Sequence, residues 1–417
     1  MVVLWLCNVA LPEIARKEKL LTHHFGGWLV SVAEDLSKEH NINLHICFPC
    51  AKDCSGILNS ISYFAFNPKN DNTLLFAKKL IEIKPDVVHI WGTEDRHSYQ
   101  MKEACKKCDI LDKMIVSIQG LVSIYSLHYY SGLPNDIIRS WSFHDFLKRS
   151  NIAYSQKIFE NKGKYEKSVL KETAYVIGRT DWDLACSKLI NCGVNYYHCN
   201  ETLRPSFYDS SWEPSNCERH SIFVSQCSYP IKGFHHMLSA MRLILDLFPD
   251  AHLYTTGKDL LHLSFIEKLK ISSYQKYIIK LIKKNGLEKH ITFLGSLNEI
   301  QMKERYLKSN VFISCSSIEN SPNSVGEAML LGVPTISSDV GGVKNLLLHE
   351  KEGFLYPWDE PYMIPFYVQK IFNNDDLAIS ISSSARNHAL DTHNRKKNFD
   401  NLLKIYKEIT SNREKAK

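Results

Sequence analysis

The stretch SIENSPNSVGEAMLLGVPTISSDVGG, which runs from Ser317 to Gly342, contains two glutamates with seven residues between them, Glu319 and Glu327. The apolar run VFISCSS leads into this stretch and predicts a buried strand. The loop that carries Glu319 therefore lies at the carboxyl end of that strand. Open α/β sheets bind their ligands at this end of the strands, so the stretch predicts both an α/β fold and a ligand site.

The polar loop after Glu319 predicts the start of a helix. Ser321 is a suitable N-cap and Pro322 suits the first turn, while Gly332 is a suitable stop. Free amides at a helix start favour a phosphate group. The residues expected to present this site are Asn323, Ser324 and Val325.

The two acids suit two different parts of one ligand. Glu327 lies about one turn into the predicted helix, where a carboxylate can accept hydrogen bonds from two neighbouring hydroxyls, as a ribose offers. Glu319, on the loop, can reach another part of the ligand, such as a sugar hydroxyl. The pattern therefore fits a nucleotide sugar. The alternative from spacing alone is an ordinary helix-surface acid and an ordinary loop acid.

Short apolar runs alternate with helical patterns along most of the chain. Strands rich in Val and Ile, separated by helices, indicate a parallel sheet covered on both faces. The predicted strands of the first half are VVLWLCNV, NLHICFP, DVVHIWG, MIVSIQG and AYVIGRT. The pattern restarts in the second half with HSIFVSQ, AHLYTTG, HITFLG, VFISCS and PTISSDV.

The length of 417 residues, 44% of them hydrophobic, exceeds one ordinary core and favours two domains. The segment LRPSFYDSSWEPSNCERH separates the two series of strands and reads as a linker. We therefore predict a Rossmann-like domain over residues 1–205 and a second over 218–383. Residues 384–417 are predicted as a C-terminal helix that could fold back on either domain.

Composition excludes several other classes of protein. The net charge of +6 is mild and lacks the basic stripe of a nucleic-acid binder, but it suits an anionic small ligand or an acidic membrane surface. No run approaches about 18 uninterrupted apolar residues, so no transmembrane helix is expected, and the apolar N-terminus reads as a strand rather than a signal peptide.

The 12 cysteines predict reduced thiols in the cytoplasm. Two pairs have the spacing of zinc ligands, Cys47 with Cys50 and Cys105 with Cys108. For both pairs a zinc site is less favoured than ordinary reduced thiols.

Two further elements follow strands and precede helices, as phosphate-binding turns do. The segment SQCSYPIKG ends in Lys232 and Gly233, where a lysine could reach a diphosphate and a glycine would allow close backbone approach. Gly26 and Gly27 precede the first long helix. Each element alone is usually only a turn. Because they belong to two predicted domains that face each other, they could converge on one cleft.

The opening stretch resembles the Glu-x7-Glu signature of the retaining glycosyltransferases of family four, which have the GT-B fold. That resemblance implies two Rossmann-like domains facing across a cleft. Other segments fall in the order that the family shows, and the resemblance covers most of the chain, most strongly residues 221–357. These segments are KGFHHMLSA, HITFLGSL, GGWLVSVAEDL, PDVVHIWGTE and MIVSIQGL.

The resemblance implies a role for each site residue. Glu327 would bind the donor's ribose hydroxyls, and Glu319 would contact the donor sugar near the reacting carbon. Lys232 would neutralise the leaving diphosphate, which the amides of Gly26 and Gly27 would also approach. The donor, a UDP- or GDP-sugar, would bind the C-terminal domain. A glycan or lipid-linked glycan acceptor of bacterial surface polysaccharide synthesis would bind the N-terminal domain.

The chain departs from the family pattern at two places. Gln226 stands where many relatives have an arginine, and Gln119 stands where many have a histidine. The first change removes a positive charge from the diphosphate site, and we expect Arg179 or Arg204 to supply one from the other domain. Gln119 and Arg179 therefore join the candidate catalytic residues, and Gln226 joins the donor-binding ones.

The segment from Asp181 to Asp183 matches the metal-binding Asp-x-Asp of another glycosyltransferase fold. Here it follows a strand and reads as a helix start with acidic residues in its first turn. Lys232 and the helix amides would balance the negative charge of the diphosphate, which a metal ion would otherwise balance. We therefore expect neither an essential metal nor a cofactor.

The helical region 135–170 interrupts the first series of strands. It contains seven Lys and Arg against four Asp and Glu, together with several aromatic residues. It reads as an added helical layer with a solvated face. The sharper hypothesis is an acceptor-binding or membrane-facing surface, since aromatic and basic side chains suit the lipid interface. Peripheral contact with the cytoplasmic face of the membrane follows as an expectation.

Three other functions compete with sugar transfer. A nucleotide-sugar epimerase of the same fold would share the donor site but need no acceptor. A non-catalytic nucleotide-sugar sensor would bind the donor without turnover. A dinucleotide-dependent dehydrogenase is disfavoured because no Gly-x-Gly-x-x-Gly turn follows any predicted strand.

Overall fold

A computed structural model of the chain describes residues 1–20 and 27–416, without the side chains of residues 27, 28 and 412–416. The strands are β1 Val2–Leu6, β2 Asn43–Pro49, β3 Ser55–Leu58, β4 Ile61–Phe66, β5 Val87–Trp91, β6 Met114–Ser117, β7 Tyr175–Gly178, β8 Asn195–His198, β9 Glu218–Val224, β10 His252–Thr255, β11 Ile291–Phe293, β12 Ser309–Ser314, β13 Thr335–Ser338 and β14 Phe354–Tyr356. The helices are α1 Pro12–Lys17, α2 Gly27–Lys38, α3 Thr73–Ile83, α4 Arg96–Lys107, α5 Val122–Tyr125, α6 Asn135–Ile138, α7 Phe143–Lys148, α8 Ile152–Glu172, α9 Asp181–Ile190, α10 Phe234–Leu247, α11 Phe265–Leu269, α12 Ser273–Lys284, α13 Glu299–Leu307, α14 Asn323–Leu331, α15 Met363–Phe372, α16 Asp375–Thr392 and α17 Arg395–Ala416.

The chain divides into two compact units. Unit 1 comprises residues 1–124, 160–203 and 393–417. Its sheet has the strand order β3-β4-β2-β1-β5-β6-β7-β8. The strands are parallel except that β3 runs antiparallel to β4. All five strands predicted for the first half are present, and β3, β4 and β8 are additional.

A polar network at the centre of unit 1 ties its last helix to the sheet. Trp5 in β1 donates from Nε1 to the hydroxyl of Tyr406 in α17, at 3.0 Å. That hydroxyl lies 2.6 Å from Nδ1 of His89 in β5. Nε2 of His89 lies 2.7 Å from Oγ of Ser117 in β6. Since an indole N–H can only donate, the Tyr406 hydroxyl keeps its own proton to donate, and one arrangement that satisfies every group has Tyr406 donating to His89 Nδ1 and His89 Nε2 donating to Ser117.

Unit 2 comprises residues 125–159 and 204–392. Its six strands are all parallel, in the order β11-β10-β9-β12-β13-β14. The five strands predicted for the second half are present, and β14 is additional. Every residue of β12 is buried, as are residues 325–331 of α14. This pattern is that of a strand covered on both faces and of a helix enclosed by other elements.

The units differ in extent from the predicted domains. Residues 125–159, within the predicted N-terminal domain, belong to unit 2. Asp145 Oδ2 in α7 accepts a hydrogen bond from the Ser273 amide at the start of α12, at 2.8 Å. Nε2 of His235 in α10 lies 2.7 Å from the Ser131 carbonyl oxygen. These contacts hold the segment to unit 2.

The other boundaries are also displaced. Arg204 is the first residue of unit 2 rather than part of the first domain. The C-terminal part that belongs to unit 1 begins at residue 393, not 384, because α16 packs against α14 and stays with unit 2. Among the described residues, none of the helices is long and apolar enough to span a bilayer.

Candidate functional site

Glu319 lies on the loop that follows β12 and is held there by two donors. One carboxylate oxygen accepts from Lys232 Nζ at 2.5 Å and from Ser316 Oγ at 2.7 Å. The side chains of Glu319 and Lys232 are only 10% and 22% exposed. Two residues that were predicted to contact different parts of the donor, Glu319 and Lys232, therefore come together at the carboxyl ends of the neighbouring strands β12 and β9.

The backbone around Lys232 packs closely against the end of β12. A 3₁₀ turn over Pro230–Lys232 ends at Gly233, which has φ 66°. A Cβ at Gly233 would lie 1.7 Å from the Cys315 carbonyl oxygen, so only glycine allows this approach. Burial opposes the lysine charge, but Glu319 and Tyr229 raise the pKa of Lys232 well above its usual range. Lys232 is therefore a fixed cation.

The helix α14 begins one residue later than the sequence suggested. Pro322, with ψ 116°, occupies the N-cap, and within the described chain no side chain caps this helix. The expected Ser321 cap is thus wrong, because the extended Pro322 occupies the N-cap position and α14 starts at Asn323. The predicted stop at Gly332 is confirmed by its φ of 73°.

The start of α14 presents backbone amides. The Val325 amide donates to the Pro322 carbonyl oxygen at 3.0 Å, so this group is already used within the turn. The amides of Asn323 and Ser324 precede the first intrahelical hydrogen bond, and in the part of the chain that the structure describes the N-cap proline offers them no side-chain acceptor. Of the three predicted amides, these two are the better placed for a phosphate.

Glu327, one turn into α14, forms a bidentate ion pair that the sequence analysis did not predict. Arg204 Nε donates to Oε1 and Arg204 Nη2 to Oε2, both at 2.7 Å. Glu327 is only 7% exposed, and the guanidinium lies 4.5 Å from the ring centroid of Phe207. Burial raises the pKa of Glu327, and the charge and hydrogen bonds of Arg204 oppose that rise.

A second glycine brings β13 close to the site loop. Gly341 has φ 53°, and a Cβ there would lie 1.9 Å from the Glu319 carbonyl oxygen. The Gly342 amide donates to the same oxygen at 3.1 Å. The glycine pair therefore positions the backbone of Glu319, a role that the sequence analysis did not assign to it.

Arg179, Gln119 and Glu201 form a separate cluster in unit 1. Glu201 accepts from Arg179 Nη1 at 2.6 Å and from Gln119 Nε2 at 2.5 Å. Arg179 Nη2 lies 3.3 Å from the Gln119 carbonyl oxygen. Arg179 is thus already paired with a carboxylate, as Arg204 is. An additional charge for a diphosphate from either arginine would require its carboxylate partner to be shared or released.

The remaining predicted residues carry less information. Gln226 is half-buried, two residues after β9. Gly27 is the first residue of α2, and Gly26 lies outside the described residues. The acidic segment starts α9, where Asp183 and Thr180 form a capping box. Across residues 1–20 and 27–416, no group of three or more His, Cys, Asp or Glu is arranged to hold a metal ion.

Residues 211–388, which include Lys232, Glu319 and Glu327, match the model of one protein family. That family is Glycosyl transferases group 1. An uncharacterized glycosyltransferase of Methanocaldococcus jannaschii is 26% identical over 246 residues, 56% of this chain and 56% of that protein. Spore coat protein SA of Bacillus subtilis is 24% identical over 189 residues, 44% of this chain and 48% of that protein. The chain thus spans about half the length of these curated relatives.

Solved structures are similar over nearly the whole chain. Sucrose-phosphate synthase from Thermosynechococcus elongatus has a TM-score of 0.70 at 12% identity, over 98% of this chain and 99% of that one. The Anabaena protein HepE, solved with UDP-glucose, has a TM-score of 0.67 at 14% identity, over 98% and 100%. At this identity the likeness bears on the fold alone. It confirms the predicted α/β fold of the GT-B type with two Rossmann-like domains.

Proposed function

We propose that the chain is a retaining glycosyltransferase of family four that moves a sugar from a nucleotide-diphosphate donor to a glycan or lipid-linked glycan. The observation that carries the proposal is the pairing of Lys232 with Glu319 beside the start of α14, with Glu327 one turn further on. The match of residues 211–388 to the glycosyltransferase family supports it. We further infer a hexosyltransferase of bacterial surface polysaccharide or capsule synthesis, acting in the cytoplasm. All 12 cysteines are free, which supports a reducing compartment.

Each site residue has a distinct task in donor binding. Arg204 uses two of the roughly four acceptor positions of the Glu327 carboxylate, so the others remain for ribose hydroxyls. The amides of Asn323 and Ser324 would bind a phosphate, because the positive end of the helix dipole adds to their donor capacity. Lys232 would then place its charge on the diphosphate, with Glu319 turned to the sugar.

Catalysis would depend on stabilising the departing diphosphate. The acceptor oxygen bonds to the anomeric carbon on the face from which the diphosphate oxygen leaves, so configuration is retained. The hydroxyl proton of the acceptor passes to that departing phosphate oxygen. Lys232 and the α14 amides balance the charge that develops there, and donors already in place need no reorganisation during the step. No metal or cofactor enters this proposal.

UDP-glucose is the first donor to test, because one structural neighbour was solved with it. A thermal-shift screen of UDP- and GDP-sugars identifies the donor, since a ligand of the folded state raises the melting temperature with its occupancy. Transfer is then measured as glycoside formed on candidate glycan acceptors. Donor consumption without a new glycoside would favour the epimerase, and binding without any consumption would favour the sensor.

Lys232→Ala is the decisive variant. We expect transfer to fall by about 100-fold or more, because an electrostatic contact to the leaving group is lost. Lys79→Ala is the matched control. Lys79 also pairs with a glutamate, at 3.0 Å from Glu82, and its side chain is 29% exposed, but it belongs to α3 of unit 1 and is not one of the candidate residues. Equal rates for the two variants would contradict the proposed role of Lys232.

A further inference from the structure

In the short helix α7 an acidic residue is buried and large apolar residues are exposed to solvent. Asp145 is fully buried. By contrast, Phe143 is 55% exposed, Phe146 71% and Leu147 65%. These three residues are at positions i, i+3 and i+4 and share one helix face. Trp141, just before the helix, is 53% exposed. We call Trp141, Phe143, Phe146 and Leu147 the α7 surface.

The buried side of α7 explains why the apolar side chains face outward. Asp145 Oδ2 accepts from the amides of Ser142, at 3.1 Å, and Ser273, at 2.8 Å. Ser142 Oγ in turn accepts from the Asp145 amide at 3.0 Å. Buried polar groups need such partners, so turning α7 to hide its apolar residues would break a capping box and the contact with α12. The exposure of the α7 surface is therefore built into the fold.

Positive charge borders the α7 surface. Arg139, Lys148 and Arg149 are all exposed. Asp145, the one acidic residue between positions 139 and 149, is buried and hydrogen-bonded. One exposed acid, Asp136, lies three residues before Arg139, so three exposed cations stand against one exposed acid along residues 136–149. Aromatic and aliphatic side chains flanked by Lys and Arg match the interface of an anionic bilayer, where rings lie at headgroup depth and cations meet lipid phosphates.

We propose that the α7 surface, with Arg139, Lys148 and Arg149, docks on the headgroup layer of an anionic lipid bilayer. A second copy of the chain is the poorer occupant, since a two-fold contact would place this basic patch against an identical basic patch. The proposal uses none of the residues of the candidate transfer site and does not depend on the proposed function.

Vesicle sedimentation tests the proposal with the full chain. We expect co-sedimentation with vesicles of mixed phosphatidylglycerol and phosphatidylcholine, weaker binding to pure phosphatidylcholine, and weakening with added salt. Phe146→Ser with Leu147→Ser should reduce binding by about tenfold or more, because two large apolar side chains no longer enter the interface. Leu74→Ser with Ile81→Ser on α3 is the matched control, since these side chains are 72% and 65% exposed; it should bind like wild type.

Several outcomes would overturn the proposal. One is a wild-type chain that stays in the supernatant with anionic vesicles, and another is equal binding by the two double variants. A third is a wild-type dimer in light scattering that Phe146→Ser with Leu147→Ser dissociates while vesicle binding is absent. Far-UV circular dichroism confirms that each variant is folded. Donor binding by the same preparations is measured separately, so failure of this proposal is distinct from failure of the proposed function.

Discussion

Each glutamate of the Glu-x7-Glu stretch is held by one cation, and the two cations come from different parts of the chain. Lys232 reaches Glu319 from the turn after β9, and Arg204 reaches Glu327 from the segment before β9. Both carboxylates are largely buried. A charged ligand that recruits Lys232 or Arg204 would therefore have to share that cation with its carboxylate or displace the carboxylate.

Arg204→Gln should make donor binding depend on pH. Burial raises the pKa of Glu327 and Arg204 opposes the rise, so loss of the guanidinium raises that pKa further. An ionised Glu327 accepts ribose hydroxyls, and protonation weakens this contact. We therefore expect UDP binding by Arg204→Gln, measured by calorimetry between about pH 5 and 8, to weaken with falling pH sooner than in wild type.

Glu327→Gln is the control for this pH dependence. The variant has no carboxylate to titrate, so it should bind UDP weakly and with a flatter pH profile than Arg204→Gln. If Arg204→Gln and wild type give parallel profiles over the whole range, Arg204 does not set the ionisation of Glu327.

At the residue scale, the sequence predicted the acids but not all of their partners. Glu319, Glu327 and Lys232 belong to recognisable segments, so their spacing carried a signal. Arg204 is 123 residues from Glu327 and lies in a stretch with the composition of a linker. No local pattern connects two such positions. The pairing depends on tertiary packing alone.

Among the elements, α14 begins at an N-cap residue whose side chain makes no capping hydrogen bond. Pro322 fills the N-cap position without offering an oxygen, whereas α13, α12 and α11 all start with capping boxes. An uncapped start is less stable by about 1 kcal/mol. It also leaves the first amides available to a ligand.

Compared with Pro322→Ala, the variant Pro322→Ser should be more stable and should bind the donor more weakly. The added hydroxyl can accept from an amide of the first turn, so the free energy of unfolding should exceed that of Pro322→Ala by about 1 kcal/mol. The same contact competes with a phosphate, so UDP should bind more weakly to Pro322→Ser than to Pro322→Ala. Both variants lose the proline ring, and the comparison therefore isolates the hydroxyl. Urea unfolding and UDP calorimetry measure the two effects, and equal UDP affinities would contradict an anion site at this helix start.

Ten strands could be predicted because each is a run of apolar residues bounded by polar ones. The hairpin of β3 and β4 was missed because its turn residues, Asn59 and Ser60, both have positive φ, at 48° and 65°. A turn of this kind usually has glycine at its second position, and serine gives no such signal. β14 was also missed, although it is as long as β11, which was predicted.

For the whole molecule, sequence patterns predicted two α/β domains but did not predict that residues 125–159 belong to the second of them. That segment follows strands of the first sheet, so its place in the chain suggested the first domain. It belongs with unit 2 through contacts such as Asp145 with Ser273, which are 128 residues apart. Hydrophobic periodicity cannot report a hydrogen bond between such distant positions.

The stability of the protein should fall in mild acid partly because of His89. Burial lowers the pKa of His89 to about 3, so the folded chain keeps it neutral while the unfolded chain protonates it below about pH 6.5. The unfolded state thus binds more protons between these pH values, and stability is lost as pH falls through that window. From pH 7 to 5 the loss from this one residue is about 2 kcal/mol.

His89→Gln isolates that contribution. Other buried histidines, His97 and His235, are unchanged in the variant and cancel in the comparison. We expect the free energy of unfolding in urea to decline less steeply with falling pH in His89→Gln than in wild type, although the variant is less stable at pH 7. Parallel declines would show that His89 is protonated in the folded chain or shielded in the unfolded one.

The split of unit 1 into three segments has a consequence for biosynthesis. The helix that closes its core through Tyr406 begins at Arg395, and all of residues 204–392 precede it. A ribosome therefore releases the complete sequence of unit 2 before the last piece of unit 1. The first unit therefore stays open along β1 and β5 until its final helix is made, by which time every residue of the second unit has been synthesised. A nascent chain stalled before Arg395 should accordingly expose the apolar side of the first sheet to chaperones.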